Sequence, residues 1–184
     1  MIDDERCLVG AAGSGDAAAF GELLARCRTS ALRVATVVLG TAVGADDVVQ
    51  DASVRAWQAI GDVDPERGFR PWFLRVVANT ARNGRRSRGR RAALAVRAGA
   101  EPVVPDAGPE ERAVSNRERD VVLAAVNRLG AQDRLVVTLR YFEQLSEAEM
   151  TVVLSCAPGT VKSRLSRAMT RLRAELDREG GVGA

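Results

Sequence analysis

Residues 146–176, SEAEMTVVLSCAPGTVKSRLSRAMTRLRAEL, constrain this chain more than any other stretch. They specify two short helices held across a tight turn. Ser146 with Glu149 three positions on is a reciprocal helix start, in which each side chain caps the other's backbone N–H. Met150, Val153 and Leu154 follow at helical spacing. The turn falls at Ser155-Cys156-Ala157, and Pro158 suits the first position of a new helix, where no backbone donor is missed. In that second helix Val161, Leu165, Leu172 and Leu176 form an apolar stripe with Ala168 and Met169 beside it. Lys162, Arg164, Arg167, Arg171 and Arg173 lie mostly off the stripe. A helix packed on one face and cationic on the other is the geometry of a major-groove reader. The plainer alternative is a surface helix with solvated arginines.

Charge distribution carries the argument further than net charge, which is only +3. Eight arginines (70, 75, 82, 85, 86, 88, 90 and 91) fall between Phe69 and Ala92 with no acid among them. The next dense basic segment is 162–173, while acids concentrate in 1–66 and 101–120. Two separated cationic patches suit two contact points on an extended polyanion. Arginine excess over a single lysine also fits GC-rich coding bias, so it is weak evidence by itself. Histidine is absent, which removes the commonest general base and metal ligand and counts against catalysis. Cys7, Cys27 and Cys156 are widely spaced and form no CxxC, so neither a disulfide framework nor a zinc site is expected. The acidic start and the lack of a long apolar run predict a cytoplasmic protein with no membrane insertion.

Taken in order, residues 1–40 read as helical with a break and cap at Gly13-Ser14-Gly15-Asp16. Residues 45–60, ADDVVQDASVRAWQAI, form a helix with Val48, Val49, Ala52, Ala56 and Ile60 on one side. Asp46, Asp47 and Asp51 near its start suit the helix dipole. They also raise a magnesium site as an alternative, although no second acidic motif or phosphate loop accompanies them. Residues 61–70 are a polar loop turning at Asp64-Pro65, and Pro71 opens a helix to about Arg86. Arg75, Asn79, Arg82, Asn83 and Arg86 recur on one broad polar face of it, with side chains suited to base edges and phosphates. Trp72 and Phe73 are expected in the core rather than as stacking platforms for bases. Proline-rich 88–113 has no sustained period and reads as an extended linker. Helical patterning returns with Val121, Val122, Ala125, Val126 and Leu129, then Leu135, Val136, Leu139 and Phe142. The expected fold is all-α, two small helical domains joined by a flexible linker. The divisions are 1–90, linker 91–114, a helix-turn-helix domain 115–178 and a tail 179–184.

The ordered set of segments 45–60, 68–86, 129–150 and 158–173 resembles the extracytoplasmic-function group of bacterial sigma factors. The likeness spans nearly the whole chain except the linker. It implies a non-enzymatic protein without cofactor or metal that binds core RNA polymerase and directs it to promoter DNA. By resemblance, Asp47, Gln50 and Asp51 meet the clamp helices of the polymerase's largest subunit, and the C-terminal domain lies at the flap region. Residues 62–67, with Asp64 and Arg67, correspond to the segment that captures a flipped non-template base. Arg75, Asn79, Arg82, Asn83 and Arg86 face the minus-ten element, and the arginines from 85 to 91 hold backbone phosphates. Thr160, Lys162, Ser163, Arg164, Arg167 and Arg171 match the helix that enters the minus-thirty-five major groove. An anti-sigma factor is the implied further partner. Ser155 stands where many relatives carry Gly, and Thr151 where they carry a small Ala. Two readings compete: a stand-alone helix-turn-helix regulator, and a metal enzyme built on the three aspartates.

Overall fold

The computed structural model describes residues 2–64, 66–97 and 117–180, whose regular structure is all helical with no strand among them. The N-terminal half holds α1 (Ile2–Gly13), α2 (Ala17–Leu39), α3 (Ala45–Gln58), a 3-10 turn Ile60–Asp62 and α4 (Phe69–Arg97). The C-terminal half holds α5 (Arg117–Arg128), α6 (Ala131–Val137), a π-helical turn Thr138–Phe142, α7 (Glu147–Leu154) and α8 (Pro158–Gly180).

Local chemistry sets most boundaries. The Asp16 carboxylate accepts the N–H groups of Ala18 and Ala19 at 2.9 and 3.1 Å, capping α2 as its position predicts. Gly40 ends α2 at φ 81, donating its N–H to Thr36 O at 2.8 Å. Helix α3 stops at Gln58 rather than running on to Ile60, and both ends of α4 differ from the sequence expectation. Helix α4 begins at Phe69 rather than Pro71, because Glu5 of α1 supplies a carboxylate for the Phe69 N–H at 2.8 Å. It also runs to Arg97, seven residues into the stretch 91–97 assigned to the linker. Ala92, Ala93, Leu94 and Ala95 are strong helix formers and carry the helix on. The rest of the expected linker, 98–114, lies outside the described residues.

The core of the N-terminal half is aromatic. Phe69 stacks on Phe73 with ring centroids 5.5 Å apart and meets Phe20 edge-on at 6.1 Å, while Trp57 lies 5.0 Å from Phe20. Phe69, Trp72 and Phe73 are buried, so these rings pack the core and leave no face for an unpaired base. Each such side chain contributes about 1.5–3 kcal/mol by leaving water. In the C-terminal half Ala125, Val126, Leu129, Val137, Ala168 and Leu172 form a small core between α5, α6 and α8.

The N-terminal core extends across into the C-terminal half. Leu135, Val136, Leu139, Leu145, Met150, Val153 and Val161 belong to the same continuous apolar cluster as the residues of α2, α3 and α4. Helix α7 packs on α4 and α6 packs on α2. The π-turn departs from the expected continuous helix: Glu143 donates its N–H to Thr138 O at 3.0 Å, five residues back. Phe142, expected on the apolar side with Leu135, Val136 and Leu139, ends this turn and is 41% exposed. Val121 and Val122, expected on an apolar side, are also partly exposed.

Candidate nucleic-acid interface

The helix-turn-helix forms as its residues dictate. Ser146 Oγ accepts the Glu149 N–H at 3.2 Å and Glu149 Oε2 accepts the Ser146 N–H at 2.7 Å, completing the capping box. Helix α7 ends at Ser155, held left-handed at φ 49, ψ 48, and the Cys156 N–H reaches back to Thr151 O at 3.3 Å. That six-to-one bond is the usual helix stop with glycine at the left-handed place; here a serine takes it. Pro158 then opens α8.

Val161, Ala168 and Leu172 bury one side of α8. Lys162, Ser163, Arg167 and Arg171 are exposed on the other, with Thr160 and Arg164 half-buried at its margin. Side-chain contacts order this face. Arg167 Nε donates to Ser163 O at 3.2 Å, Ser163 Oγ to Thr160 O at 3.1 Å, and Arg171 pairs with Asp133 of α6. The Arg164 guanidinium lies 3.9 Å from Cys156 Sγ in the turn.

On α4, Asn79 and Asn83 are exposed, and Arg75 and Arg82 half-buried. Arg82 Nη1 donates to Asn79 Oδ1 at 2.9 Å, so the two present one polar surface. Arg86 sits on the helical backbone beyond them; its side chain, like those of the arginines from 85 to 91, lies outside the described residues. In the preceding loop Arg67 Nε pairs with Asp64 Oδ2 at 3.1 Å, and Asp64 O accepts the N–H groups of Arg67 and Gly68. No local pattern signals that α1 braces this loop: Arg6 pairs with Glu66 at 2.7 Å while Glu5 caps Phe69.

The acidic face of α3 stands apart. Asp47, Gln50 and Asp51 are exposed opposite the buried Val48, Val49, Ala52 and Ala56. Val54, about one turn on, is 55% exposed, so the acidic face continues into an apolar edge. Asp46 is turned aside to Arg28 at 3.2 Å, which separates it from the other two aspartates.

Tertiary packing brings the two basic faces together. A cleft of about 450 Å³ is lined by Arg82 of α4 and by Arg164, Arg167 and Arg171 of α8, with Leu135 and Leu154 on its apolar side. Elsewhere between the halves, the turn after the π-helix inserts Glu143, only 3% exposed, against the N-terminal half. Its Oε2 lies 2.6 Å from Arg70 Nη2 and its Oε1 pairs with Arg33, while its backbone carbonyl accepts from Arg70 at 3.0 Å. Burial is the largest single influence and pushes this carboxyl up; the hydrogen bonds from Ser30, Arg33 and Arg70 together outweigh it and hold it below the usual range. Glu143 and Arg70 lie too far in the chain from each other and from the Ser30–Arg33 turn for any local pattern to join them.

Comparison with known proteins matches these parts to named regions. The Sigma-70 region 2 family model matches residues 23–91, and the Sigma-70, region 4 model matches 119–172. The chain is 34% identical to RNA polymerase sigma factor CnrH of Cupriavidus metallidurans over 95% of each chain. It is 30% identical to the ECF RNA polymerase sigma-E factor of Escherichia coli, covering 89% of this chain and 90% of that one. Among solved structures, CnrH in complex with the cytosolic domain of CnrY superposes with a TM-score of 0.65 at 32% identity, over 95% of this chain and 98% of that one. The sigma factor RpoE of Bartonella quintana, in complex with the anti-sigma factor NepR, shares the fold with a TM-score of 0.69 at 24% identity, over 86% and 96%. With both sigma regions in order and a relative matched from end to end, the chain belongs to the extracytoplasmic-function group of RNA polymerase sigma factors, which direct the polymerase to promoters.

Proposed function

We propose that residues 1–90 dock on core polymerase and melt the minus-ten element, while residues 115–178 read the minus-thirty-five element. The single observation that carries the second part is the outer face of α8, where Lys162, Ser163, Arg167 and Arg171 are exposed beyond a capped α7 and a fixed turn. Thr160 and Arg164 at the margin complete the set that enters the major groove. Arginine and lysine supply phosphate contacts and bidentate base contacts there.

Asp47, Gln50 and Asp51, next to the exposed Val54, form the surface for the clamp helices of the largest subunit. Opposite charge sets the register of that contact, and the valine supplies an apolar edge to it. The C-terminal half sits at the flap region. Asp64 and Arg67 hold the loop that takes a flipped base, and Arg75, Asn79, Arg82, Asn83 and Arg86 line the melted minus-ten strand. Flipping costs a few kcal/mol, which contacts in the loop offset. NepR in the RpoE structure supports an anti-sigma factor as a further partner for this chain. Its site of action is the cytoplasm, in keeping with described helices none of which is long and apolar enough to cross a membrane.

Run-off transcription with purified core RNA polymerase and genomic promoter fragments tests this reading. Transcripts starting at defined sites only when the protein is added are the expected result. Promoter-specific binding by the protein alone, with no effect on polymerase, would sink it.

A further inference from the structure

The cleft of about 450 Å³ walled by Arg82 of α4 and by Arg164, Arg167 and Arg171 of α8 has a chemistry of its own. Four guanidiniums face one carboxylate among its lining residues, that of Asp133, which Arg171 already holds. Like charges gathered around one space repel one another, and a bound anion relieves that repulsion. Leu135 and Val136 of α6 and Leu154 of α7 supply an apolar side, with Gln132 beside them as a polar group.

Size and geometry decide the class of occupant. Small-molecule sites run from about 300 to 1,000 Å³, and this cleft falls within that range. A double helix, whose major groove alone is about 12 Å wide, cannot be seated inside it. The planar guanidinium fork matches phosphate oxygens two at a time, which makes arginine the side chain for phosphate where orientation matters. Three of the four forks are already tied down: Arg82 Nη1 to Asn79 Oδ1, Arg167 Nε to Ser163 O, and Arg171 to Asp133. Such ordering lowers the entropy that a ligand must overcome on binding. Guanidiniums drawn from two helices are met by several linked phosphates rather than by one.

We propose that this cleft binds a compact polyphosphate anion, inorganic or carried on a nucleoside. The arginines of α4 and α8 hold its phosphates, and Leu135, Val136 and Leu154 lie against an attached base. Arg164 and Arg167 also serve the proposed minus-thirty-five contact, so ligand and promoter exclude each other on that face. This consequence rests on the promoter reading; the site does not, and a titration without DNA tests the site alone.

The test is isothermal titration calorimetry of the full-length chain with sodium tripolyphosphate, GTP and citrate, at about 0.15 M salt to screen diffuse attraction. Wild type is compared with Arg82→Ala, Arg164→Ala and Arg173→Ala, the last an exposed arginine of α8 that does not line the cleft. Circular dichroism reports folding. One tripolyphosphate per chain is expected, weakened roughly tenfold by Arg82→Ala and by Arg164→Ala and unchanged by Arg173→Ala. GTP binding more tightly than tripolyphosphate assigns the nucleoside form, and the reverse order the inorganic one. No binding, several ligands per chain, or equal loss from Arg173→Ala would overturn the site. Loss from Arg164→Ala with none from Arg82→Ala would overturn the cleft by placing the anion on α8 alone. Citrate binding as tightly as tripolyphosphate would overturn the phosphate class. Should Arg82→Ala fail to fold, Gln132→Glu brings a second carboxylate to the lining and should weaken binding likewise.

Discussion

Glu143 Oε2 lies 2.6 Å from Arg70 Nη2 although the two residues are 73 positions apart, and the contact joins the C-terminal half to the N-terminal one. Its pH dependence follows from the direction of the carboxyl's shift. Burial opposes ionisation, but Ser30, Arg33 and Arg70 together hold the folded value below the usual one. The contribution to stability is therefore fully present above the usual glutamate range and is lost as pH falls through the lower folded value. No histidine exists to titrate between pH 5 and 8, so the interface should be indifferent across neutrality and loosen only in acid. Scattering against pH checks this: expansion between pH 6 and 8 would contradict it.

Ser155 occupies a left-handed position at φ 49 that costs an L-residue about 1–2 kcal/mol. Ser155→Gly removes that strain and gives back part of it as chain entropy. A net gain of about 0.5–1 kcal/mol is expected, raising the melting temperature by a few degrees. Ser146→Ala removes the capping box and should lower stability by about 1 kcal/mol. Thermal denaturation of the two variants should shift in opposite directions.

The loop before α4 depends on α1. Glu5→Ala leaves the Phe69 N–H without its cap and should cost about 1 kcal/mol. At Gly68, φ is 76 and an added Cβ would sit 3.0 Å from Glu5 Oε1, so Gly68→Ala meets both backbone strain and the cap itself. Its cost should exceed that of Glu5→Ala. Hydrogen exchange at Phe69 should rise in both, and equal protection in wild type and variants would refute the bracing role.

Arg164→Ala or Arg167→Ala should weaken promoter recognition by about 1–3 kcal/mol and leave polymerase binding intact. Changing Asp47 and Asp51 to Ala should do the reverse. Parallel measurement of core-polymerase affinity and of transcription from promoters altered at minus thirty-five separates the two effects. Loss of core-polymerase affinity in the arginine variants, or unchanged affinity in the aspartate variants, would end the division of labour.

Burial pushes the Cys27 thiol up to about 12, and the residue is only 3% exposed. Cys7 is exposed. Thiol labelling of native protein near pH 8 should modify Cys7 and spare Cys27 until denaturant is added. Prompt labelling of Cys27 in the folded protein would show that α2 opens readily.

Much of this protein was legible in its residues because the interactions involved are local. Apolar spacing, the Asp16 and Ser146 caps and the Pro158 start act within about four residues, so α2, α3, α7 and α8 and the basic face of α8 could be read directly. The burial of Trp72 and Phe73 followed from their spacing in the same way. Helix α4 was misjudged at both ends: Ala92 to Ala95 prolonged it, and its cap came from Glu5, 64 residues away. The π-turn that aims Glu143, the cluster it forms with Arg33 and Arg70, and the cleft uniting Arg82 with Arg167 are likewise products of tertiary structure alone. Periodicity tells which face of a helix is buried but carries no information about which distant surface it meets. For that, the folded chain had to bring residues 33, 70 and 143 together.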